Sequence, residues 1–103
     1  MRGMQDMLRQ AQIMQKKMTE LQEQLGERTV EATAGGGMVT VVVSGKQDLK
    51  SIKIDPAAVD PEDVEMLQDL VLAAINEGVR LSKDMVEKEM AALTGGIKIP
   101  GMM

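Results

Sequence analysis

The chain has 103 residues, enough for one domain with a modest core, and 16 acidic against 12 basic residues leave a formal net charge of −4. It holds no cysteine and no histidine, which excludes a disulfide framework, a thiolate nucleophile, zinc–thiolate sites and the usual general base. Phe, Tyr and Trp are absent too, so no ring is available to stack a sugar or an unpaired base.

Eleven methionines replace the missing aromatic residues, together with many Leu, Val and Ile. Methionine fills irregular gaps but specifies packing weakly. A small domain built this way gains from burying surface against a second copy, so an obligate oligomer is expected. No apolar run is long enough to span a bilayer, and the N-terminus lacks a signal-peptide core; the cytoplasm is the default location. The acidic total argues against a nucleic-acid partner unless the charges are unevenly distributed.

They are. The first helix is expected from about Gly3 to Leu25, with Gly26 as its stop. Met4, Met7, Ala11, Met14, Met18, Leu21 and Leu25 fall in alternating steps of three and four, a heptad seam that Leu8 and Ile13 widen. The simplest role for the seam is packing against another helix, with Met7, Met14, Met18 and Leu21 at its centre. Opposite it, Arg2, Arg9 and Lys16 recur every seven residues, with Lys17 beside the last and Gln5, Gln10, Gln12 and Gln15 interleaved. A row of cations and amides on one face is what phosphate contact requires, although a merely solvated face would look the same. Glu20, Glu23 and Glu27 end the row.

Three short strands follow. Residues 28–33 alternate, with Val30 and Ala32 on one face; Gly35-Gly36-Gly37 turns the chain without the Lys-Ser/Thr of a phosphate-binding P-loop. Residues 38–44 are rich in valine, with Val39, Val41 and Val43 on one face and Val42 on the other, which suits a central strand. Residues 49–55 form the third, with Ile52 and Ile54 inward. Short connections favour an antiparallel meander.

The strand stops at Asp55-Pro56, and Asp60-Pro61 announces a second helix from Pro61 to about Leu93. Asp60 is placed to cap it, and Glu62, Asp63 and Glu65 suit the positive end of its dipole. The apolar stripe runs through Val64, Leu67, Leu70, Val71, Ala74, Ile75, Leu81, Met85 and Met90. Gly78 lies on the stripe, where close approach of another backbone would offset its cost of roughly 1 kcal/mol. Residues 1–94 are read as one domain and 95–103 as a flexible tail.

The acidic cluster lacks the glycine and terminal glutamate of an EF-hand loop, and helix-dipole pairing accounts for several of its charges. No metal, cofactor or small-molecule substrate is expected, nothing activates a serine or threonine, and the chain reads as a non-enzyme. For nucleic acid, the physically available mode is contact of Arg and Lys with the duplex backbone, largely indifferent to base sequence and steeply salt-dependent.

In order and spacing, several segments resemble the YbaB/EbfC family of small bacterial nucleoid-associated proteins along nearly the whole chain. They are Met7-Leu8-Arg9-Gln10-Ala11-Gln12, Gly37-Met38-Val39, Ile52-Lys53-Ile54-Asp55-Pro56, Met66-Leu67-Gln68-Asp69-Leu70-Val71 with Ala73-Ala74-Ile75-Asn76, and the Gly/Pro/Met tail. The resemblance implies an α+β subunit of order α–β–β–β–α, a tweezer-like homodimer, and binding of double-stranded DNA with a role in nucleoid organisation or gene regulation. It places DNA contact on the helices, here on Arg2, Arg9, Lys16 and Lys17, with Arg80, Lys83 and Lys88 on the last helix. Gly78 stands where the family usually has alanine. The competing reading is a protein–protein adaptor that docks partners through the Met-rich helix, and burial of Met4, Met7, Met14 and Met18 separates the two.

Overall fold

In the computed structural model, the described residues are 2–94; the side chains of Arg2, Leu93 and Thr94 are outside the description. The expected tail, residues 95–103, also lies outside it. Helix α1 (Arg2–Glu27) leads into strands β1 (Thr29–Ala34), β2 (Val39–Ser44) and β3 (Leu49–Ile54). A 3-10 turn at Pro56–Ala58 then precedes helix α2 (Val64–Thr94). The α–β–β–β–α order and the α+β class expected from the sequence are those of the structure.

The strands form an antiparallel meander in the order β1-β2-β3. Gly35, Gly36 and Gly37 make the first turn at φ values of 65°, 69° and 95°, three consecutive left-handed residues that side chains would strain. Val41 pairs with Ala32 on one side and Ile52 on the other, so these three side chains share a face. The β2–β3 register shifts between Val42 and Val43, which pairs with Leu49 and leaves Lys50 as the extra residue.

Helix α2 lies on that face, across β1 and β2. Val39, Val41, Val43, Ala32 and Ala74 are buried between the layers, with Leu67, Leu70, Val71, Ile75 and Leu81 around them. Each fully buried valine contributes on the order of 2 kcal/mol. Gly78 sits at the centre of the contact, where a Cβ would stand 2.7 Å from Val43 Cγ2 and 3.0 Å from Val41 Cγ2. The close approach expected there is therefore to valine side chains, not to backbone. Ser82 adds one buried polar tie, its hydroxyl donating to the Ser44 carbonyl at 2.6 Å.

Two helix boundaries differ from those expected on the sequence. α2 begins at Val64, because Asp63, not Asp60, caps it: Asp63 Oδ1 accepts from the Met66 N–H at 3.2 Å. Asp60 instead holds the preceding turn, accepting from the Glu62 N–H at 2.9 Å. At the other boundary, α1 runs through Gly26, which is buried within the last turn under the stem of Lys46. Its lack of a side chain serves packing there rather than termination.

Ile52 and Ile54 are on the inner face, as expected, yet 43% and 38% exposed. α2 covers β1 and β2 and leaves the β3 part of the face open. Leu49 on β3 and Val64 and Leu72 on α2 are exposed as well.

Candidate nucleic-acid interface

Helix α1 is held only at its base. Residues 3–13 are exposed, Met14, Met18 and Leu21 are half-buried, and Leu25 is buried. At that base Gly45 N–H donates to the Arg28 carbonyl at 2.8 Å, and Arg28 pairs with Glu89 of α2 at 3.1 Å. The molecule is 75 Å long, and α2 spans about 46 Å at 1.5 Å per residue. α1 therefore projects well beyond the layers.

The projecting part carries the basic row. Arg9, Lys16 and Lys17 are exposed, and none has an acidic partner within 4 Å among the described residues. Arg2 opens the helix in the same heptad row. Being exposed, Arg9, Lys16 and Lys17 have no packing duty among the described residues.

The cations of α2 are placed differently. Arg80 donates through Nε to Glu77 Oε2 at 3.0 Å and through its terminal nitrogen to Glu77 Oε1. That hydrogen bonding holds the Glu77 carboxyl below the ordinary carboxylate range and raises the Arg80 guanidinium further. Lys88 pairs with Asp84 at 3.0 Å, while Lys83 is exposed with no acidic partner among the described residues. Of the candidates on α2, two are already neutralised by acids on their own helix.

Ile13 is not on the seam. At 100° per residue it stands about 100° to 140° around the axis from Met7, Met14 and Met18, and it follows Arg9 by four residues and precedes Lys16 and Lys17 by three and four. Its apolar character alone suggests the seam; its rotation about the helix axis places it on the basic face. Leu8, by contrast, flanks the seam as expected, and with Met4 and Met7 it forms an exposed apolar strip; the two methionines are 67% and 71% exposed.

The acids of the strand-to-helix connection are used locally. Asp55 accepts from Ala57 N–H at 2.9 Å, Asp60 holds the turn before α2, and Asp63 caps that helix. Among the described residues no group of three acids converges as a metal site would require, and no helix is long and apolar enough to cross a membrane.

The projecting helix and its exposed cations sit on a chain of α–β–β–β–α order. The model of the YbaB/EbfC DNA-binding family matches residues 1–97. The chain belongs to that family. It is 61% identical over 101 residues to a nucleoid-associated protein of Moorella thermoacetica, covering 98% of this chain and 97% of that one. It is 60% identical over 100 residues to a nucleoid-associated protein of Desulforamulus reducens, covering 97% and 95%. Among solved structures, an uncharacterized protein from Helicobacter pylori superposes with a TM-score of 0.62 at 28% identity, covering 79% of this chain and 93% of that one.

Sequence reasoning does not single out Lys46, because it lies in a turn remote from the helix. Its side chain lies over Gly26 at the base of α1, which adds a cation beyond the point where Glu20, Glu23 and Glu27 take over. No periodicity in the sequence signals that contact.

Proposed function

We propose that the protein is a nucleoid-associated, double-stranded-DNA-binding homodimer whose basic α1 faces grip the phosphate backbone with little dependence on base sequence. The relatives' name, nucleoid-associated protein, supports a role in nucleoid organisation, and gene regulation in the cytoplasm belongs to the same proposal. The observation that carries the reading is the exposed row of Arg9, Lys16 and Lys17, none of them in an ion pair among the described residues, on a helix that projects from the layers. Arg2 extends the row, and Lys83 is the remaining unpaired candidate on α2. No catalytic step is proposed.

The net charge of −4 does not oppose this. The Arg28–Glu89 pair joins the base of α1 to the far part of α2, about 30 Å along that helix from Asp69. Acids from Asp60 to Asp69 therefore lie several Debye lengths from that base at physiological salt, where the screening length is about 8 Å.

The homodimer is supported by the uncovered apolar face. Ile52 and Ile54 continue the same face whose valines on β2 are fully buried, and a contiguous apolar face left open in this way marks a site for another chain. Two such subunits joined at the sheets would carry two projecting α1 helices, the tweezer form.

The reading is tested by titrating salt against binding of a labelled duplex. The affinity should fall log-linearly with salt. Arg9→Gln/Lys16→Gln/Lys17→Gln should reduce the slope by about 0.9 for each phosphate no longer neutralised, while leaving the mass in solution unchanged. Unchanged affinity in the triple variant overturns the assignment to α1.

The exposed strip of Met4, Met7 and Leu8 favours a second reading, docking of another protein on α1. Peroxide oxidation followed by mass spectrometry separates the two. Protection of Met4 and Met7 in the isolated protein places them inside the homodimer, and full reactivity leaves them open to a different partner.

A further inference from the structure

We propose that Ile13 is the base-contacting residue of α1, packing against thymine C5-methyl groups in the major groove between phosphates held by Arg9, Lys16 and Lys17. The proposal rests on α1 being the DNA-binding surface and adds to it a source of base preference.

Ile13 is 48% exposed and lies away from the methionine seam, so helix packing within the chain does not account for it. Scattered exposed apolar residues are ordinary, but the surroundings of this one are not. Its four neighbours on the helix surface, at −4, −3, +3 and +4, are Arg9, Gln10, Lys16 and Lys17, all exposed. Three are phosphate-binding side chains, and the fourth is a type that reads adenine edges. Around the axis, Arg9 and Lys16 fall to one side of Ile13, Lys17 and Gln10 to the other. A face turned towards a duplex thus presents Ile13 at its centre and cations on both flanks.

The major groove of B-DNA admits an α-helix, and the apolar group that its base edges present is the thymine methyl. Lying in that groove, α1 sets its flanking cations towards the two phosphate walls and its central side chain towards the base edges. Asp6 and Glu20, each seven residues from Ile13 on the same side, would repel phosphate at either end. They limit the contact to the turns centred on Ile13. A β-branched residue is also a weaker helix former than the Gln, Lys and Arg around it, so local propensity does not favour isoleucine at this position.

The test compares one duplex with the same duplex carrying 2′-deoxyuridine in place of thymidine, which removes only the methyl groups. The wild-type protein should bind the thymidine duplex about fourfold more tightly for each methyl it touches. Ile13→Ala should bind both equally, and Ile13→Val should keep part of the difference. The Arg9, Lys16 and Lys17 glutamine variant should weaken both complexes while preserving their ratio. Equal wild-type affinities for the two duplexes overturn the proposal without any substitution being needed, as does thymidine preference retained in Ile13→Ala. If the triple variant binds as well as wild type, the assignment of α1 itself has failed; if it weakens binding and the wild type is insensitive to the methyl, only the role of Ile13 has.

Discussion

Gly45, in the β2–β3 turn, packs against the carbonyl of Leu25 in the last turn of α1 so closely that a Cβ on Gly45 would overlap the Leu25 oxygen. The Gly45 N–H donates to the Arg28 carbonyl at 2.8 Å immediately beside this contact. Backbone thus meets backbone where the projecting helix joins the layers, and Leu25 is the point at which α1 becomes buried. The aim of the basic row depends on this joint.

Gly45→Ala should therefore act on both stability and binding. A backbone overlap cannot be relieved by turning a side chain, and overpacking of this kind costs about 1–3 kcal/mol. For a domain of this size each kcal/mol lowers the thermal midpoint by roughly 4–8 °C. Calorimetry at fixed protomer concentration should show that drop, and duplex affinity should fall with it. A midpoint within about 2 °C of wild type would show that α1 shifts at no cost and that the joint is soft.

Gly78 is a second close approach, this time against stiff side chains. Gly78→Ala gains roughly 1 kcal/mol of helix propensity but drives a Cβ to within 2.7 Å of Val43 Cγ2 and 3.0 Å of Val41 Cγ2. Overpacking outweighs the gain, and a net destabilisation of about 1 kcal/mol is expected. The added methyl should partly fill the space left by Val43→Ala, so the double variant should be less destabilised than the sum of the singles. Strict additivity in denaturant unfolding would show that the two residues do not share the space.

Most of the fold is legible in the sequence because its signals are local. Alternating valines, a triple glycine, and Asp-Pro pairs before an apolar stripe each determine their own stretch of chain. The α2 cap is ambiguous in the sequence because Asp60 and Asp63 are both good capping residues three positions apart, and the turn that uses the first pushes the helix start to the second. Gly26 looks like a stop because glycine after an apolar seam usually is one; its packing partner, Lys46, is remote in the chain and leaves no trace in periodicity. The basic row is legible as charge and spacing. Its division into paired cations on α2 and unpaired ones on α1 is not, since Glu77 and Asp84 each have helical neighbours they could pair with or leave.

Sheet coverage is the other feature hidden from the sequence. Ile52 and Ile54 alternate as inner residues should, but how far one helix reaches across three strands depends on its crossing position. If a second chain covers them, Ile52→Asn/Ile54→Asn should convert a species of twice the 11.2 kDa chain mass into one of that mass. Sedimentation equilibrium measures this directly, and helicity by circular dichroism should be retained because neither side chain is in the core of the single chain. A double variant that keeps the doubled mass places the interface elsewhere.

The pairing of α2 cations leads to a contrast between the two helices. Arg80 is engaged by both carboxylate oxygens of Glu77, and Lys88 by Asp84, so each presents little net charge to a phosphate. Arg80→Gln/Lys88→Gln should accordingly lower duplex affinity less than about twofold and leave the salt slope unchanged, against a reduction of about 0.9 per neutralised phosphate for the α1 variants. The Glu77 carboxyl is held below its usual range and the Arg80 guanidinium is raised, so both stay charged from about pH 6 to about pH 9. The contrast should thus hold across that window. Removing the acid reverses the situation: Glu77→Gln releases Arg80, and tighter binding in that variant would show that the α2 face lies within reach of DNA. Unchanged binding would place Arg80 outside the contact.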